Sequence, residues 1–281
     1  MDERVGTEPD PDVLQDYDFG QGVRGRYAQR FAQGSNEVMR GYQPVMSFGP
    51  DVAQGDRHAL RGDEDDAVAF LKQLAGDGPA LELGIGSGRI ALPLAAQGVR
   101  VDGVDLSPAM LDQLRARPGG AQLALTLGDL AEVPVTGAYR LIYVVWNTLF
   151  NLLTQEDELR CFANVAAHLA EGGHFVVEVY TPAFLYRLRD DQYVNAEAIE
   201  VDQVRLDLLR HDAARQIIEE SHVSLSAAGI RLNPVVQRHA WPSELDLMAR
   251  LAGLRLRERW GNWRREPFTS ASEMHVSVYG W

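Results

Sequence analysis

The chain has 281 residues, with 27 Lys or Arg against 40 Asp or Glu, so its formal net charge is −13. Apolar residues make up 46% and charged residues 24%, which is typical of globular proteins and excludes a mostly disordered chain. The acidic balance argues against a nucleic-acid partner, because phosphate contacts need a basic surface. We expect one large domain, or one domain with a sizeable insertion.

The single cysteine, Cys161, excludes an internal disulfide and a cysteine-rich zinc site, and it suits a reducing compartment. The first residues are acidic and lack the apolar run of a secretory signal. No stretch reaches the ~20 apolar residues that span a membrane. We therefore expect a soluble, cytoplasmic protein with no membrane partner.

Residues 1–62 are predicted to form an N-terminal arm and a helical lid, because an acidic, proline-rich start is followed by scattered aromatics. A helix is predicted over residues 63–75, since acids in a first turn favour a helix N-terminus. Strands and helices then alternate, which is typical of a parallel sheet covered on both faces. Strands are predicted at 80–83, 99–104, 123–127, 141–146 and 174–179, helices at 90–97, 108–116 and 155–170, and a turn at 171–173.

The pattern changes after Pro182. Alternating polar and apolar runs between residues 200 and 240 predict three or four antiparallel strands, and we assign residues 182–240 to an inserted sheet. A helix over 242–252 and strands over 254–260 and 275–281 complete the chain. The core therefore covers residues 63–181 and is completed by residues 241–281.

A glycine-rich loop follows the first strand, in the run Glu82-Leu83-Gly84-Ile85-Gly86-Ser87-Gly88-Arg89. Such a loop lets a ligand approach the backbone next to exposed helix N–H groups. A dinucleotide fingerprint needs glycine at position 89, where this chain has arginine, and the loop lacks the ending of a P-loop.

Further polar residues follow the next three strands: Asp105, the Gly128-Asp129-Leu130 step, and Trp146-Asn147. An acid at the carboxyl end of the second strand is placed to bind ribose hydroxyls. Helix capping is the alternative for Asp105, and a purely structural turn is the alternative for the glycine loop.

Together these motifs resemble the class I S-adenosylmethionine-dependent methyltransferases, over about residues 75–181 and in outline from residue 242. The resemblance implies that the glycine loop wraps the methionine part of S-adenosylmethionine, that Asp105 binds the ribose, and that the segment after the fourth strand faces the sulfonium. The implied cofactor-binding residues are Glu82, Gly84, Gly86, Gly88, Asp105, Leu106, Met110, Asp129, Leu130 and Asn147.

The resemblance also implies the fold: a doubly wound, Rossmann-like α/β sheet of seven strands with an antiparallel last strand. In outline, the helical N-terminus and inserted antiparallel sheet are similar to N-methyltransferases of amino sugars and amino acids. The insertion is then expected to cover the substrate, and a homodimer is one arrangement that it allows.

Glu178 and Tyr180 are the candidate catalytic residues. Glu178 interrupts an apolar strand, and a buried carboxylate must be paired or neutralised. A structural hydrogen-bond acceptor is the alternative. We expect Tyr42, Phe150 and Trp241 to line the substrate site, and aromatic rings of the N-terminal segment (Tyr17, Tyr27, Tyr42) attract a cationic sulfonium. Ordinary packing is the alternative for these aromatics.

No metal site is predicted, because the histidines lie on separate elements without ligand spacing and no acid begins the segment after Trp146. A run of six arginines between Arg250 and Arg265 has two interpretations. It forms a solvated strand face, or it receives an anionic acceptor by bidentate contacts.

These observations predict an enzyme that transfers methyl from S-adenosylmethionine to a small-molecule acceptor of specialised metabolism. The acceptor atom (N, O or C) stays open. The alternatives are a nicotinamide-dependent oxidoreductase on a similar sheet and a non-catalytic module that keeps the cofactor pocket.

Overall fold

The central sheet contains seven strands: β1 (Ala80–Leu83), β2 (Val101–Asp105), β3 (Ala124–Leu127), β4 (Tyr139–Val144), β5 (Leu169–Tyr180), β10 (Arg255–Trp260) and β11 (Met274–Gly280). Their order is β10-β11-β5-β4-β1-β2-β3. The first five are parallel, whereas β11 is antiparallel to β5 and to β10. This confirms the doubly wound sheet with an antiparallel last strand.

The computed structural model describes residues 39–50, 52 and 61–281. The unit that begins at Gly41 is the one considered below. Most of the predicted N-terminal arm and lid over residues 1–62, with Tyr17 and Tyr27, lies outside the described residues. None of the helices in the described part of the chain is long and apolar enough to cross a membrane.

Helices cover both faces of the sheet: α1 (Glu64–Ala75), α2 (Ala91–Ala96), α3 (Pro108–Ala116), α4 (Gln155–His168) and α5 (Pro242–Leu251). The first three bury apolar side chains against one face, and α4 and α5 bury theirs against the other. Local sequence sets several helix starts. Ser107 and Thr154 accept the N–H groups of Met110 and Asp157, which satisfies donors that a helix start leaves free.

A second, antiparallel sheet lies between β5 and α5 in the chain: β6 (Gln192–Ile199), β7 (Gln203–Asp212), β8 (Ile217–Ser226) and β9 (Gly229–Arg238), in that order. At its base, the buried Arg238 side chain forms ion pairs with Glu158 on α4 and, at 2.5 Å, with Glu244 on α5. These contacts fix the inserted sheet to the helical layer.

Several boundaries differ from the sequence predictions, and two of the differences concern β5 and β4. The predicted turn at 171–173 lies inside β5, where Leu169 pairs with Tyr139 and His174 pairs with Leu141, so the residues between form a bulge. Gly172 has φ +66° there, which a glycine tolerates. The predicted strand at 141–146 starts at Tyr139 and ends at Val144.

The first inserted strand, β6, precedes the runs from which the insertion was predicted. Its residues are mostly exposed, with a burial pattern that does not alternate regularly. Hydrogen bonding to β7, rather than its own hydrophobic pattern, therefore defines it as a strand.

Part of the arginine run between Arg250 and Arg265 anchors the C-terminal strands. Arg259 forms a bidentate pair with Asp246 on α5, at 2.5 and 3.2 Å. Arg264 binds Asp66 at 2.7 Å, and Arg265 lies over the Phe70 ring at 4.4 Å. These three arginines therefore contact other elements of the fold.

Replacing Arg259 by Met is expected to lower the free energy of unfolding by about 3 kcal/mol, because Asp246 is left largely buried without its partner. Urea unfolding followed by circular dichroism measures the change. Arg257→Met, at an exposed position of the same strand, is the matched control and should stay within about 0.5 kcal/mol of the wild type. Equal losses in both variants would contradict the anchoring role of Arg259.

Candidate active site

A cavity of about 320 Å³ lies at the carboxyl ends of the parallel strands, where doubly wound sheets bind ligands. Residues from the glycine loop, from the turns after β2, β3 and β4, and from the inserted sheet surround it. The lining residues are Pro44, Phe48, Val52, Glu82, Gly84, Ile85, Gly86, Ser87, Arg89, Ile90, Asp105, Leu106, Met110, Gly128, Asp129, Leu130, Val145, Trp146, Thr148, Asn151, Leu152, Val235 and Gln237.

The three glycines of the loop all have positive φ, at +72°, +53° and +81°, but they face different surroundings. A Cβ on Gly84 would lie 2.3 Å from the Thr148 side chain, and one on Gly88 would lie 2.3 Å from that of Leu114. A Cβ on Gly86 would meet no protein atom within 4 Å. Only Gly84 and Gly86 line the cavity, and Gly86 borders open space there.

Asp105 connects the glycine loop to the turn after β2. Its Oδ2 accepts the Gly86 N–H at 2.7 Å, and its Oδ1 accepts the Ser107 N–H at 2.8 Å. The two hydrogen bonds fix the orientation of the carboxylate at the cavity wall. This arrangement suits an acceptor for vicinal hydroxyl groups of a ligand.

Glu82 is more deeply buried than Asp105, the other buried acid that lines the cavity. Burial raises the pKa of its carboxyl to about 8, against a hydrogen bond of 3.0 Å from the Tyr143 hydroxyl and the positive charge of Arg89. A positively charged ligand group placed beside it would favour the ionised carboxylate. A cationic group bound at this end of the cavity would therefore lower the pKa of Glu82.

The turn after β4 has an unusual backbone. Trp146 and Asn147 have φ +58° and +60°, in the left-handed region that non-glycine residues seldom adopt. The Glu178 carboxylate accepts the Trp146 N–H at 2.7 Å, and the Asn147 Oδ1 accepts the Tyr180 N–H at 2.7 Å. Two side-chain contacts with β5 therefore stabilise the turn.

Two arginines flank the Trp146 indole. The Arg89 guanidinium lies 3.3 Å from the ring centroid, and that of Arg61 lies 4.8 Å away. Arg61 also binds Glu178 at 2.7 Å and Asp63 through two contacts, at 2.7 and 3.0 Å. Cation–π contact and ion pairing together hold this ring at the cavity wall.

A short 3₁₀ segment, Pro44–Phe48, crosses the cavity from the core to the inserted sheet. The Ser107 hydroxyl donates to the Phe48 carbonyl at 2.6 Å, and the Ser47 hydroxyl donates to the Pro234 carbonyl at 2.8 Å. The cavity is thus bounded by the core, this segment and strand β9.

The comparisons with known proteins agree on one family. A family model described as a methyltransferase domain matches residues 80–173. The structure of the CcbJ methyltransferase from Streptomyces caelestis is 38% identical, with a TM-score of 0.79, and the match covers 85% of this chain and 98% of that chain. The chain belongs to the S-adenosylmethionine-dependent methyltransferases.

Two further relatives extend the comparison. The cypemycin N-terminal methyltransferase of a Streptomyces species is 27% identical over 201 residues, which are 70% of this chain and 81% of that protein. The S-adenosylmethionine-bound amino pentose methyltransferase CalS10 from Micromonospora echinaspora, involved in calicheamicin biosynthesis, shares the fold at a TM-score of 0.60 and 22% identity, covering 81% and 94% of the two chains.

Membership of this family confirms the predicted cofactor, S-adenosylmethionine, and the predicted reaction class, and it decides against the nicotinamide-dependent alternative. The comparisons support methyl transfer to a small-molecule acceptor and fit a role in specialised metabolism. Among the described residues, the His, Cys, Asp and Glu side chains form no group of three or more that could hold a metal ion.

Most residues predicted to bind the cofactor in this methyltransferase meet around the cavity: Glu82, Gly84, Gly86, Asp105, Leu106, Met110, Asp129 and Leu130. Gly88 and Asn147 do not line it. Gly88 packs against Leu114, and the Asn147 side chain is bound to the Tyr180 backbone.

The residues predicted to be catalytic or substrate-lining are not among the residues that line the cavity. Glu178 is buried in its contacts with Arg61 and the turn after β4. Phe150 is fully buried in the core, Tyr42 hydrogen-bonds to Ser47, and Trp241 stacks on Tyr186. Their predicted roles stay predictions.

Sequence reasoning missed several lining residues. Arg89 was noted for breaking a dinucleotide pattern, although its charge beside a glycine loop was a usable signal. Trp146 directly precedes the predicted Asn147. Val235 and Gln237 come from the inserted sheet, and no local pattern indicated them.

Gly88→Ala should destabilise the fold by about 2 kcal/mol, because the new Cβ meets the buried Leu114 side chain at a strained φ. Gly86→Ala should cost about 1 kcal/mol from backbone strain alone, but it should weaken S-adenosylmethionine binding more. Urea unfolding and calorimetric titration separate the two effects. The assignment fails if Gly88→Ala reduces affinity more than Gly86→Ala does.

Asp105→Ala should weaken S-adenosylmethionine binding by about 2 kcal/mol, or roughly thirtyfold, because a charged acceptor at the cavity wall is lost. The control is Asp102→Ala on the same strand. That carboxylate accepts the Tyr139 hydroxyl at 3.0 Å and does not line this cavity. Calorimetry should show nearly wild-type affinity for the control. Equal affinities in the two variants would remove Asp105 from the cofactor site.

Proposed function

We propose that this methyltransferase binds S-adenosylmethionine in the cavity and transfers its methyl group to an amine nitrogen of a small molecule. We choose nitrogen as the acceptor atom because of the partners that the Glu178 carboxylate already has. This acid was the candidate general base, and its carboxylate is already bound to Arg61 and the Trp146 N–H. An amine attacks as its neutral form without a strong base, whereas a hydroxyl or carbon acceptor benefits from one.

The proposed cofactor contacts follow from the lining chemistry. Asp105 accepts hydrogen bonds from the ribose hydroxyls, and Leu106 and Met110 pack against the adenine beside Asp129. The glycine loop and Glu82 lie along the methionine part, where the Glu82 carboxylate faces a cationic amino group. Arg89 offers its guanidinium to the carboxylate at that end.

Bound S-adenosylmethionine supplies an electrophilic methyl group on its sulfonium. The acceptor attacks the methyl carbon in line with the bond to the leaving sulfur. The protein contributes alignment and exclusion of water. Trp146 lines the cavity, and Thr148, Asn151 and Leu152 follow it along the same turn. These residues are proposed to position the acceptor opposite the leaving sulfur.

The inserted sheet is proposed to cover the acceptor, since Val235 and Gln237 of β9 belong to the cavity wall. The cypemycin relative is an N-terminal methyltransferase, which supports an amine acceptor. The contacts of Arg259, Arg264 and Arg265 with other elements leave less of the arginine run for an anionic acceptor.

The test of this proposal uses tritium-labelled S-adenosylmethionine with glucosamine and trialanine, each compared with its N-acetyl derivative. Label should enter the free amines and not the acetylated forms, because acetylation removes the nucleophilic nitrogen and leaves every hydroxyl in place. Glu178→Gln should lower the rate less than about tenfold and keep the shape of the pH–rate profile, since a general base contributes a factor of ~10² or more.

Equal labelling of the acetylated sugar would favour a hydroxyl acceptor and contradict the proposal. If the pH–rate profile of Glu178→Gln lost one of its limbs, Glu178 would be the general base. The affinity for S-adenosylmethionine, measured in parallel, keeps a failure of cofactor binding separate from both outcomes.

A further inference from the structure

The inserted sheet has one face directed towards the cavity, which we call the inner face. Side chains alternate between faces along a strand, so Asn233 shares the side of Val235 and Gln237. Near the base of this face, Leu209 and Ile218 pack against Leu185 and partly buried neighbours that include Tyr180. The inner face therefore continues the wall of the cofactor cavity.

Four polar residues form a cluster farther along the inner face: Asp207, Glu220, His222 and Asn233. Asp207 lies directly opposite His222, which lies opposite Asn233. The Asp207 Oδ1 and the His222 Nδ1 are 2.7 Å apart. Asp207 thus fixes the ring so that Nδ1 carries the hydrogen and Nε2 presents its lone pair.

Glu220 connects this polar cluster to β5. Burial and the charge of Asp207 raise the pKa of the Glu220 carboxyl, while His222 opposes the rise. Burial, and after it the charge of Glu220, raises the pKa of Tyr180, while burial and the charges of Glu220 and Asp207 raise the pKa of Tyr193. These five groups therefore lie within electrostatic reach of one another.

Two buried polar atoms border the same region. Among the described residues, the Tyr180 hydroxyl and the Asn233 Oδ1 have no hydrogen-bond partner. Buried polar atoms of native proteins are nearly always paired, so a ligand bound beside these two atoms would supply the partner that each of them lacks. Both atoms suit an N–H donor, since each oxygen can accept a hydrogen bond.

The polar cluster is close to the reacting end of the cavity. Glu220 lies directly opposite the cavity-lining Val235, and Asn233 lies about 7 Å before it along the strand. Strand β9 also packs against the 3₁₀ turn Thr148–Asn151 that follows β4. The segment proposed to face the sulfonium is thus adjacent to the inner face.

We propose that the polar cluster is the subsite for the acceptor amine, with His222 as the group that takes its proton. This inference rests on the proposed function and names the residues that recognise its substrate. Asp207 and Glu220 attract the ammonium form in which an aliphatic amine arrives at neutral pH. Asp207 is a positioning residue, because it acts through His222.

The proton balance is complete within this site. The ammonium group transfers one proton to the His222 Nε2 and becomes a neutral amine with a free lone pair. The lone pair forms the new N–C bond to the methyl carbon while the C–S bond breaks, and its electron pair returns to sulfur. The imidazolium then releases its proton to water, and the products are a methylated ammonium and the neutral thioether.

The test uses the full chain saturated with S-adenosylhomocysteine and the probe propylammonium, with 1-propanol as the uncharged control of equal size. Nitrogen-15 NMR of labelled histidine should show a saturable change of the His222 resonances with propylammonium and none with propanol. Glu220→Gln and Asp207→Asn should each weaken probe binding about tenfold, because each removes a charge that faces the ammonium.

Glu219→Gln is the matched control, since Glu219 precedes Glu220 on β8, faces the opposite side and pairs with Arg210. This variant should bind propylammonium like the wild type. Absence of a saturable change, an equal response to propanol, or an equal loss in Glu219→Gln would overturn the proposal. Affinity for S-adenosylhomocysteine should stay constant throughout, and its loss would instead indicate failure of the cofactor site.

Discussion

The geometry of this site depends on the contacts of the buried Glu178 carboxylate. It joins three parts of the chain, because it binds Arg61 from the segment before α1 and the Trp146 N–H after β4 while it stands on β5. Two consecutive left-handed residues store about 1–3 kcal/mol of backbone strain each. A charged acceptor buried beside them offsets that strain, so the turn keeps one conformation at the cavity wall.

The donor half and the acceptor half proposed for the active site are built in different ways. The donor half is local: β1, β2 and the loops after them supply the glycines and Asp105 within about two dozen residues, and backbone N–H groups fix the carboxylate. The acceptor half is assembled over a long range, because β9 reaches the cavity only through its register with β8 and its contacts with the turn after β4.

This difference explains what the sequence could predict. Asp105 and the loop glycines are recognisable because strand, turn and helix follow each other directly and their spacing carries the geometry. Asn147 was expected at the cofactor and Phe150 at the substrate, because both follow β4. The backbone at Trp146 and Asn147 is left-handed, which no composition pattern reveals. In this turn the Asn147 side chain binds the Tyr180 backbone and the Phe150 side chain is buried in the core.

Contacts between residues that lie far apart in the chain could not be predicted from the sequence either. Glu178 was noticed as an acid in an apolar strand, but its partner Arg61 lies 117 residues earlier, and nothing in either local pattern links them. The alternating runs of the insertion predicted antiparallel strands, yet not which face would be directed towards the cavity. That choice depends on how the base of the sheet packs on Leu185 and Tyr180.

The separation of the two sheets has a consequence for how such an enzyme diversifies. Residues of the inserted sheet share no strand pairing with the cofactor-binding strands, so an exchange at Asp207 or His222 leaves every hydrogen bond around Asp105 in place. If the proposed assignment of the two sheets is correct, substitutions within the inserted sheet alone suffice to change the acceptor.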